Sequence, residues 1–466
     1  MVEPTGKSAR SSDDPETGEW NPTDYFLPRY LRNLAPSSSY SLRGEFTYTE
    51  PVAKYAQVSL QYRAAYDHQE RDKRSYETGS DFSIAGLLPD PTLSNAYESN
   101  YTTQRVGPGF RYSKDRNTFV ANVYQHSVLD GQVTQGESEE IRHSYDDFTY
   151  FMMGQLMINR ENSLRLFINS STSNPDVTSL QGVYDLSDAQ NISHGNPTLN
   201  PSYSHRINFH YINSNVEKGR TFMWMFSLQS TSDYIGTHTV QNPSFTVDGE
   251  TYTPNFYSTP VNLDGYLSLR THLSYGFPIG FLRSNFNVMA GVSYTNTPSM
   301  YGMDDGGIDP ETGAISGGER NDTENMGYDF RAVLGSNISE NVDFTLSWNG
   351  TYNEATNSLS TTNSKNRYFN HTASGDLKIV FPLGFTLTAS AAYTQYLGFT
   401  NDYNDDYLLC NAYIGKKLFK NQRGEIMFGV NDIFNQNKSF VRTTGSGWTQ
   451  NATNSVIGRY FMVEFS

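Results

Sequence analysis

The segment LDGYLSLRTHLSYGF (Leu263 to Phe277), followed closely by LRSNFNVMAGVSYTN (Leu282 to Asn296), alternates with a period of two. In the first, Leu267, Leu269, Thr271, Leu273 and Tyr275 point one way, and Ser268, Arg270, His272 and Ser274 the other. In the second, Leu282, Phe286, Val288, Ala290, Val292 and Tyr294 oppose Arg283, Asn285, Asn287 and Ser293. Successive side chains of a strand point to opposite faces, so each run is a strand with one apolar face and one polar face. Each reaches about 10 residues or more, near the length of a tilted membrane-spanning strand and beyond the usual 5 to 6 of soluble sheets.

The same scheme recurs along the chain. Phe222, Trp224, Phe226 and Leu228 share a face, as do Val342, Phe344, Leu346 and Trp348, and Phe385, Leu387, Ala389, Ala391 and Tyr393. In NISHGNPTLNPSYSHRINFHYI (Asn191 to Ile212) a loop punctuated by Gly195, Pro197 and Pro201 feeds a strand whose Arg206, Asn208 and His210 oppose Ile207, Phe209 and Tyr211. The composition agrees: of 466 residues only 36% are hydrophobic, yet 14% are aromatic, with 33 Tyr and 28 Phe against 4 Trp. Such tyrosines suit surfaces between apolar and wet phases. No run approaches the roughly 18 consecutive apolar residues of a membrane helix. A membrane barrel shows lipid only alternate residues, so a mean hydropathy of −0.59 is compatible with one.

Net charge of −15 argues against a nucleic-acid partner, which favours a basic surface. The one cysteine, Cys410 in LLCNAYI, excludes an internal disulfide framework and reads as a packed strand residue. The first twenty residues lack a basic segment followed by an apolar one, so they are no signal peptide.

The connections alternate in length. Tight turns at Glu50 to Lys54, Ser113 to Asn117, Arg160 to Ser163, Asn215 to Gly219, Gly276 to Gly280, Ser339 to Asn341, Pro382 to Gly384 and Lys420 to Gly424 alternate with longer connections. The long ones lie near residues 69–100, 129–145, 173–202, 236–262 and 298–324, with shorter members near 355–366, 398–405 and 435–455. Short turns on one rim and long loops on the other are the pattern of an outer-membrane barrel. Asp304-Asp305, Asp402 to Asp406 and Glu139-Glu140 put acidic clusters in or beside the loops. The pentapeptide DPETG, at Asp14 to Gly18 and Asp309 to Gly313, has Pro and Gly placed for hairpin tips.

Eight such turns join sixteen strands, and the terminal VIGRYFMVEFS (Val456 to Ser466) adds a seventeenth that returns to the turn rim. An odd number cannot close as a simple antiparallel barrel with both ends on that rim. The fold expected is therefore an all-β, antiparallel transmembrane barrel segment: residues 1–38 as the remnant of an extracellular loop, and 39–466 as about 17 strands of a 22-strand barrel, a size that holds an internal plug.

With that context, GNPTLNPSYSH (Gly195 to His205) resembles a segment common in TonB-dependent outer-membrane receptors. FTYTEPVAKYAQVSLQYRAAY (Phe46 to Tyr66), GVNDIFNQNKSF (Gly429 to Phe440) and IGRYFMVEFS (Ile457 to Ser466) resemble a hairpin, the next-to-last strand with its loop, and the terminal strand of the Bacteroidetes-type outer-membrane barrel family within that group. The resemblance implies capture of a scarce nutrient (siderophore, glycan, peptide or vitamin), with energy reaching an internal plug through TonB. It also implies outer-membrane lipid, the barrel-assembly machinery and a surface lipoprotein as partners. Phe461, Val463 and Phe465 stand as the assembly signal, shifted by one from the usual terminal aromatic. No plug or TonB-contacting segment is recognisable, so the chain is expected not to perform energised uptake alone.

Expected lipid-facing residues are Leu267, Leu269, Leu273, Phe286, Val288, Phe222, Trp224 and Phe226; expected lumen-facing ones are Arg206, His210, Arg270, His272, Arg283 and Asn285. Loop residues Tyr184, His194, Asn196, Tyr252, Phe256, Tyr257 and Tyr301 are candidates for first contact with an extracellular ligand, against the plainer reading that they pack the loops. The nine His show no metal-ligand spacing, and Asp304, Asp305, Asp309 and Glu311 miss the order of a calcium loop, so no metal or cofactor is expected. GPGF at Gly107 lies in a strand with no helix after it, so it is no phosphate loop; nor does any arrangement point to catalysis. A passive channel or structural barrel, and a secreted all-β adhesin, are the alternatives.

Overall fold

A computed structural model describes residues 30–465 apart from 35, 79–82, 90–93, 136–138, 181, 183, 187, 189, 248, 304–306, 310–311, 337, 340, 360–365, 399–404, 420–422, 446–447 and 455. The period-two segments become seventeen wall strands: β1 (Ser37–Ala53), β2 (Ala56–Thr78), β3 (Asn95–Lys114), β4 (Asn117–Gln135), β5 (Glu139–Met157), β6 (Asn162–Ser173), β7 (Ser202–Asn215), β8 (Arg220–Ser232), β9 (Tyr266–Ile279), β10 (Ser284–Met303), β11 (Glu319–Ser336), β12 (Val342–Asn357), β13 (Asn366–Val380), β14 (Phe385–Leu397), β15 (Asp405–Leu418), β16 (Gly424–Asn431) and β17 (Tyr460–Phe465). Each pairs antiparallel with the next in sequence, giving one continuous meander. Five shorter strands, Tyr30–Leu34, Tyr184–Asp185, Asn191–His194, Tyr234–Gln241 and Phe256–Leu263, complete the 22-stranded sheet among the described residues. No helix among them is long and apolar enough to cross a membrane.

The register keeps the two faces distinct around the wall. Tyr211, Trp224, Leu273, Ala290 and Phe330 are successive cross-strand partners on one face. One residue along, Met225, His272, Gly291, Asp329 and Thr351 form the corresponding row on the other. A one-residue slip would exchange the faces, so the apolar pattern pins every pairing. The apolar face is not covered by protein: Trp224 is 39% exposed, Leu273 46% and Ile414 64%. An exposed apolar band of this extent belongs against lipid or another protein, not water.

The structure departs from the sequence expectation at the rims. Strand structure starts at Tyr30, which runs along β2 ahead of β1, so the expected loop of residues 1–38 is already strand in its last part; residues 1–29, with the first DPETG, lie outside the described residues. The expected loop at 129–145 is largely a continued β4–β5 ladder reaching Gln135 opposite Glu139, after an irregularity between Val128 and Gly131. Strands that rise beyond the apolar band lose the alternation that marks them in sequence. At the other rim β9 extends to Ile279, and the turn is the Gly280–Leu282 3-10 segment followed by Arg283 at φ 45.

The loop rim holds a feature with no sequence signature. The β8–β9 hairpin continues in unbroken register into Tyr234–Gln241 and Phe256–Leu263. Below, β9 lies between β8 and β10; above, Tyr234–Gln241 lies parallel beside the upper end of β10, and Phe256–Leu263 lies parallel beside Asn191–His194. The two arms have exchanged places, a half-turn of the strong twist that two-stranded ribbons adopt. A polar latch sits at the crossing: Asn262 Nδ2 donates to Asn200 O (3.0 Å) and Asp233 O (2.9 Å), Asn200 N donates to Asn262 Oδ1 (2.7 Å), and Asp233 N donates to Asp264 Oδ1 (3.0 Å). Asp233 takes φ 50, and Tyr234 stacks on Tyr266 at 4.6 Å. The substitution Asn262→Ala removes the centre of this latch. It should lower the free energy of local opening by about 2 kcal/mol, read as faster amide exchange in 234–263 with protection of β9 unchanged.

Candidate functional site

The loops of this rim fold into a packed cap. In GNPTLNPSYSH, Asn196 organises the turn: its N–H donates to Ser179 O (2.6 Å), and its Oδ1 accepts from Thr198 N (2.9 Å) and Thr198 Oγ1 (2.6 Å). Its Nδ2 donates to Pro260 O (3.0 Å), tying this loop to the twisted hairpin. This side-chain mimicry of a backbone turn is what Asn supplies in such motifs. The turn drives Leu199 against Leu180, both essentially buried, with Tyr101 of β3 and Ile235 packed around them. Leu180 ends the short helix α1 (Val177–Leu180), whose first turn is held by Asp176: Oδ1 accepts from Ser179 N (2.8 Å) and Thr178 Oγ1 (2.6 Å). Tyr101 shares its face of β3 with Arg105, so the 173–202 connection bends over the polar side of the wall.

A second cluster joins three connections. Ile192, Phe245 and Tyr257 are buried, with Tyr184, Leu186, Val247, Tyr252, Ile308 and Ile315 packed around them. Tyr184 stacks on Phe245 (5.7 Å between centroids) and meets His194 edge-on at 4.6 Å. Tyr257 Oη donates to Gly313 O at 2.6 Å, and burial holds that hydroxyl protonated far above the usual tyrosine range. The two ends of the second DPETG close on each other as a hairpin does: Gly313 N donates to Asp309 O (2.8 Å), Ile308 bridges Ile315, and Gly313 takes φ 64. Gly313 is doubly required, because a Cβ there would also lie 2.2 Å from the His194 ring.

The candidate ligand residues are thus brought together, but inward. Tyr184, His194, Tyr252 and Tyr257 surround or belong to one aromatic cluster; Tyr257 is fully buried and His194 is 3% exposed. Asn196 is the loop tie, Phe256 pairs with Asn191 and Gln241, and Tyr301 Oη donates to Gln241 Oε1 at 2.5 Å. Phe245, Ile192, Leu180 and Leu199, which hold the cap together, carry no mark in the sequence beyond being apolar in a polar loop. Asp304, Asp305 and Glu311 lie outside the described residues, and among those described no cluster of three metal-ligating side chains occurs.

On the wall, Leu267, Leu269, Leu273, Phe286, Val288, Phe222, Trp224 and Phe226 share the apolar face through their register. Arg206, His210, Arg270, His272 and Asn285 lie on the polar face. Arg206 Nε donates to Gln229 Oε1 (3.1 Å), and His272 Nδ1 faces Asp329 Oδ2 at 3.5 Å. Arg283 is the correction: it precedes β10 and occupies the left-handed turn position, where period two no longer governs direction. Phe461, Val463 and Phe465 share one face of β17, opposite Val430, Phe428 and Ile426. GVNDIFNQNKSF ends β16 in a knot: the buried Asp432 carboxylate accepts from Gln436 N (2.9 Å) and Asn437 N (3.0 Å), and Asn435 Oδ1 accepts from Arg459 N (2.9 Å) just ahead of β17.

Two tests follow from the cap. Tyr257→Phe leaves the Gly313 carbonyl without its partner and should cost about 1–2 kcal/mol of cap stability, whereas Gly313→Val should open the cap and expose 184–194 to limited proteolysis. His238, 6% exposed on the Tyr234–Gln241 strand, has its affinity for a proton lowered by burial. The opened loop then binds a proton that the closed loop refuses. Its contribution is therefore fully present above pH 6.5, the unshifted value, and is lost as pH falls below it. Amide exchange in 234–241 should accelerate on acidification, and His238→Gln should flatten that dependence.

No curated protein matches the chain. Among solved structures it is similar to a mutant ferric enterobactin receptor of Pseudomonas aeruginosa bound to enterobactin, with TM-score 0.36 and 10% identity over 93% of this chain and 80% of that one. It is similar also to the ferric yersiniabactin uptake receptor of Yersinia pestis, at TM-score 0.36 and 10% identity over 94% of this chain and 61% of that one. The model of the outer membrane protein beta-barrel family matches residues 8–315 and 308–466, together almost the whole chain. With its all-antiparallel wall and alternating rims, the chain belongs to the outer membrane protein beta-barrel family, in the outer membrane of a Gram-negative bacterium.

Proposed function

We propose that this wall is the C-terminal part of a larger receptor barrel that takes up a scarce nutrient with energy delivered through TonB to a plug inside the lumen. The apolar face meets lipid, the polar face lines the lumen, and the cap meets the extracellular medium. The observation that carries this reading is the pair of edges. β1 runs down to the tight turn before β2, and β17 runs down to the same rim after rising β16. Among the described residues they do not pair with each other, and every residue of β1 is exposed. Strands running the same way cannot close an antiparallel wall; an odd number of further strands must come between them, and five would make 22. Inside a bilayer unpaired edges are ruled out, because each unmet N–H or C=O there costs several kcal/mol.

The test is the mass and N-terminal sequence of the native polypeptide in separated outer membranes, detected through the loop around Asn191. A product well above 52.5 kDa, with a plug ahead of Met1, is expected. A product of 52.5 kDa whose β1 and β17 cross-link through Phe46→Cys and Phe461→Cys would instead make this wall a self-closed channel. In the first case the 466-residue chain alone should show no TonB-dependent uptake, with or without a surface lipoprotein.

A further inference from the structure

Five consecutive strands carry a row of ionisable side chains on the polar face, each the direct cross-strand partner of the next: Glu45 of β1, Arg63 of β2, Arg105 of β3, His126 of β4 and Asp147 of β5. Two arginines are therefore directly opposed at its centre. Like charges in directly opposed positions destabilise a sheet unless a counter-charge is supplied. Among the described residues neither guanidinium has a carboxylate within 4.0 Å or a hydrogen-bond acceptor. Two other arginines of this face have partners, Arg43 at 3.6 Å from Asp67 and Arg206 bonded to Gln229, while Arg63 and Arg105 are the ones that oppose each other directly.

The pair is also built rather than loose. The Arg105 guanidinium lies 4.3 Å from the centre of the Tyr124 ring. That ring is 6% exposed, and its hydroxyl donates to Gln61 Oε1 at 2.5 Å. Tyr124 belongs to β4 and Gln61 to β2, so the side chain spans β3, where the partner of Gln61 is Gly107. A Cβ on Gly107 would lie 1.9 Å from Val123 O and 2.7 Å from Tyr124 Cα, so the close approach of β3 and β4 that seats the tyrosine requires glycine. The GPG stretch is thus part of a platform that fixes one arginine beside the other, at the enthalpic advantage of a cation over an aromatic face.

We propose that Arg63 and Arg105 form an oxyanion site, taking a carboxylate or phosphate group of whatever occupies the polar face. Arginines on directly opposed positions can both reach one such group, and the planar guanidinium suits its bidentate recognition. The anion either belongs to a polypeptide seated permanently against the wall or arrives on a solute. The proposal rests on the polar face being a lumen, but its test needs neither transport nor TonB.

Native protein extracted from outer membranes in mild detergent is treated with phenylglyoxal, and the modified arginines are mapped by peptide mass. Inorganic phosphate should slow modification of Arg63 and Arg105 by about fivefold relative to Arg116 in the β3–β4 turn, if the anion is a solute. Slow modification without phosphate, relieved by molar sodium chloride, assigns a resident carboxylate. In either case Arg63→Gln should remove most of the protection of Arg105, with heat-modifiable gel mobility retained as evidence of an intact barrel. Modification at the Arg116 rate with and without phosphate, or slow modification that neither phosphate nor salt changes, overturns the site and leaves the receptor reading untouched.

Discussion

Backbone hydrogen bonding is the constraint on which the rest of this structure depends. A strand in hydrocarbon has no water to satisfy its N–H and C=O groups, so each must find them on a neighbouring strand. The chain meets this in the simplest way, by pairing every wall strand with the next in sequence. Side chains are then free to divide by face, and an apolar band coexists with a polar lining in a chain of low mean hydropathy. Among the described residues the first and last wall strands, β1 and β17, run to the same rim and do not pair with each other.

Above the band the problem changes. Loops in water have no lipid to select apolar residues, yet these loops are ordered by small clusters of their own: Leu180 with Leu199, and Ile192, Phe245 and Tyr257 with their aromatic neighbours. The ties between them are mostly polar and local. Asn196, Asn262 and Asp432 each use a short side chain to stand in for a backbone partner. Such residues tolerate tight turns and compete with regular structure, which is why they gather where the chain changes direction. The terminal knot around Asp432 does the same for β17 that the GNP turn does for β7: it fixes the point from which a descending strand begins.

The candidate site was legible in composition more than in arrangement. Tyr184, His194, Tyr252 and Tyr257 stand out as aromatic residues in polar loops, and the structure does gather them, but around Phe245 and Gly313. Burial is a property of several distant segments at once, and no local pattern encodes it. The Arg63 and Arg105 pair is hidden for the same reason: the two residues are 42 positions apart, and only the register of β2 with β3 sets them face to face.

By itself the sequence determined the strands, their two faces, the alternation of short turns with long connections, and the odd number of wall strands. These follow from period-two patterning and turn chemistry, which act over a few residues. It also marked the GNP and GVNDIF segments as special without saying why. Only the tertiary structure decided that strand structure appears as early as Tyr30, that Arg283 belongs to a turn, and that the 129–145 connection is mostly ladder. It alone decided that the β8–β9 hairpin exchanges its arms and that the loops close on a core. Those outcomes depend on twist, register and contacts between segments far apart in the chain, where the alternation imposed by a lipid face no longer reaches.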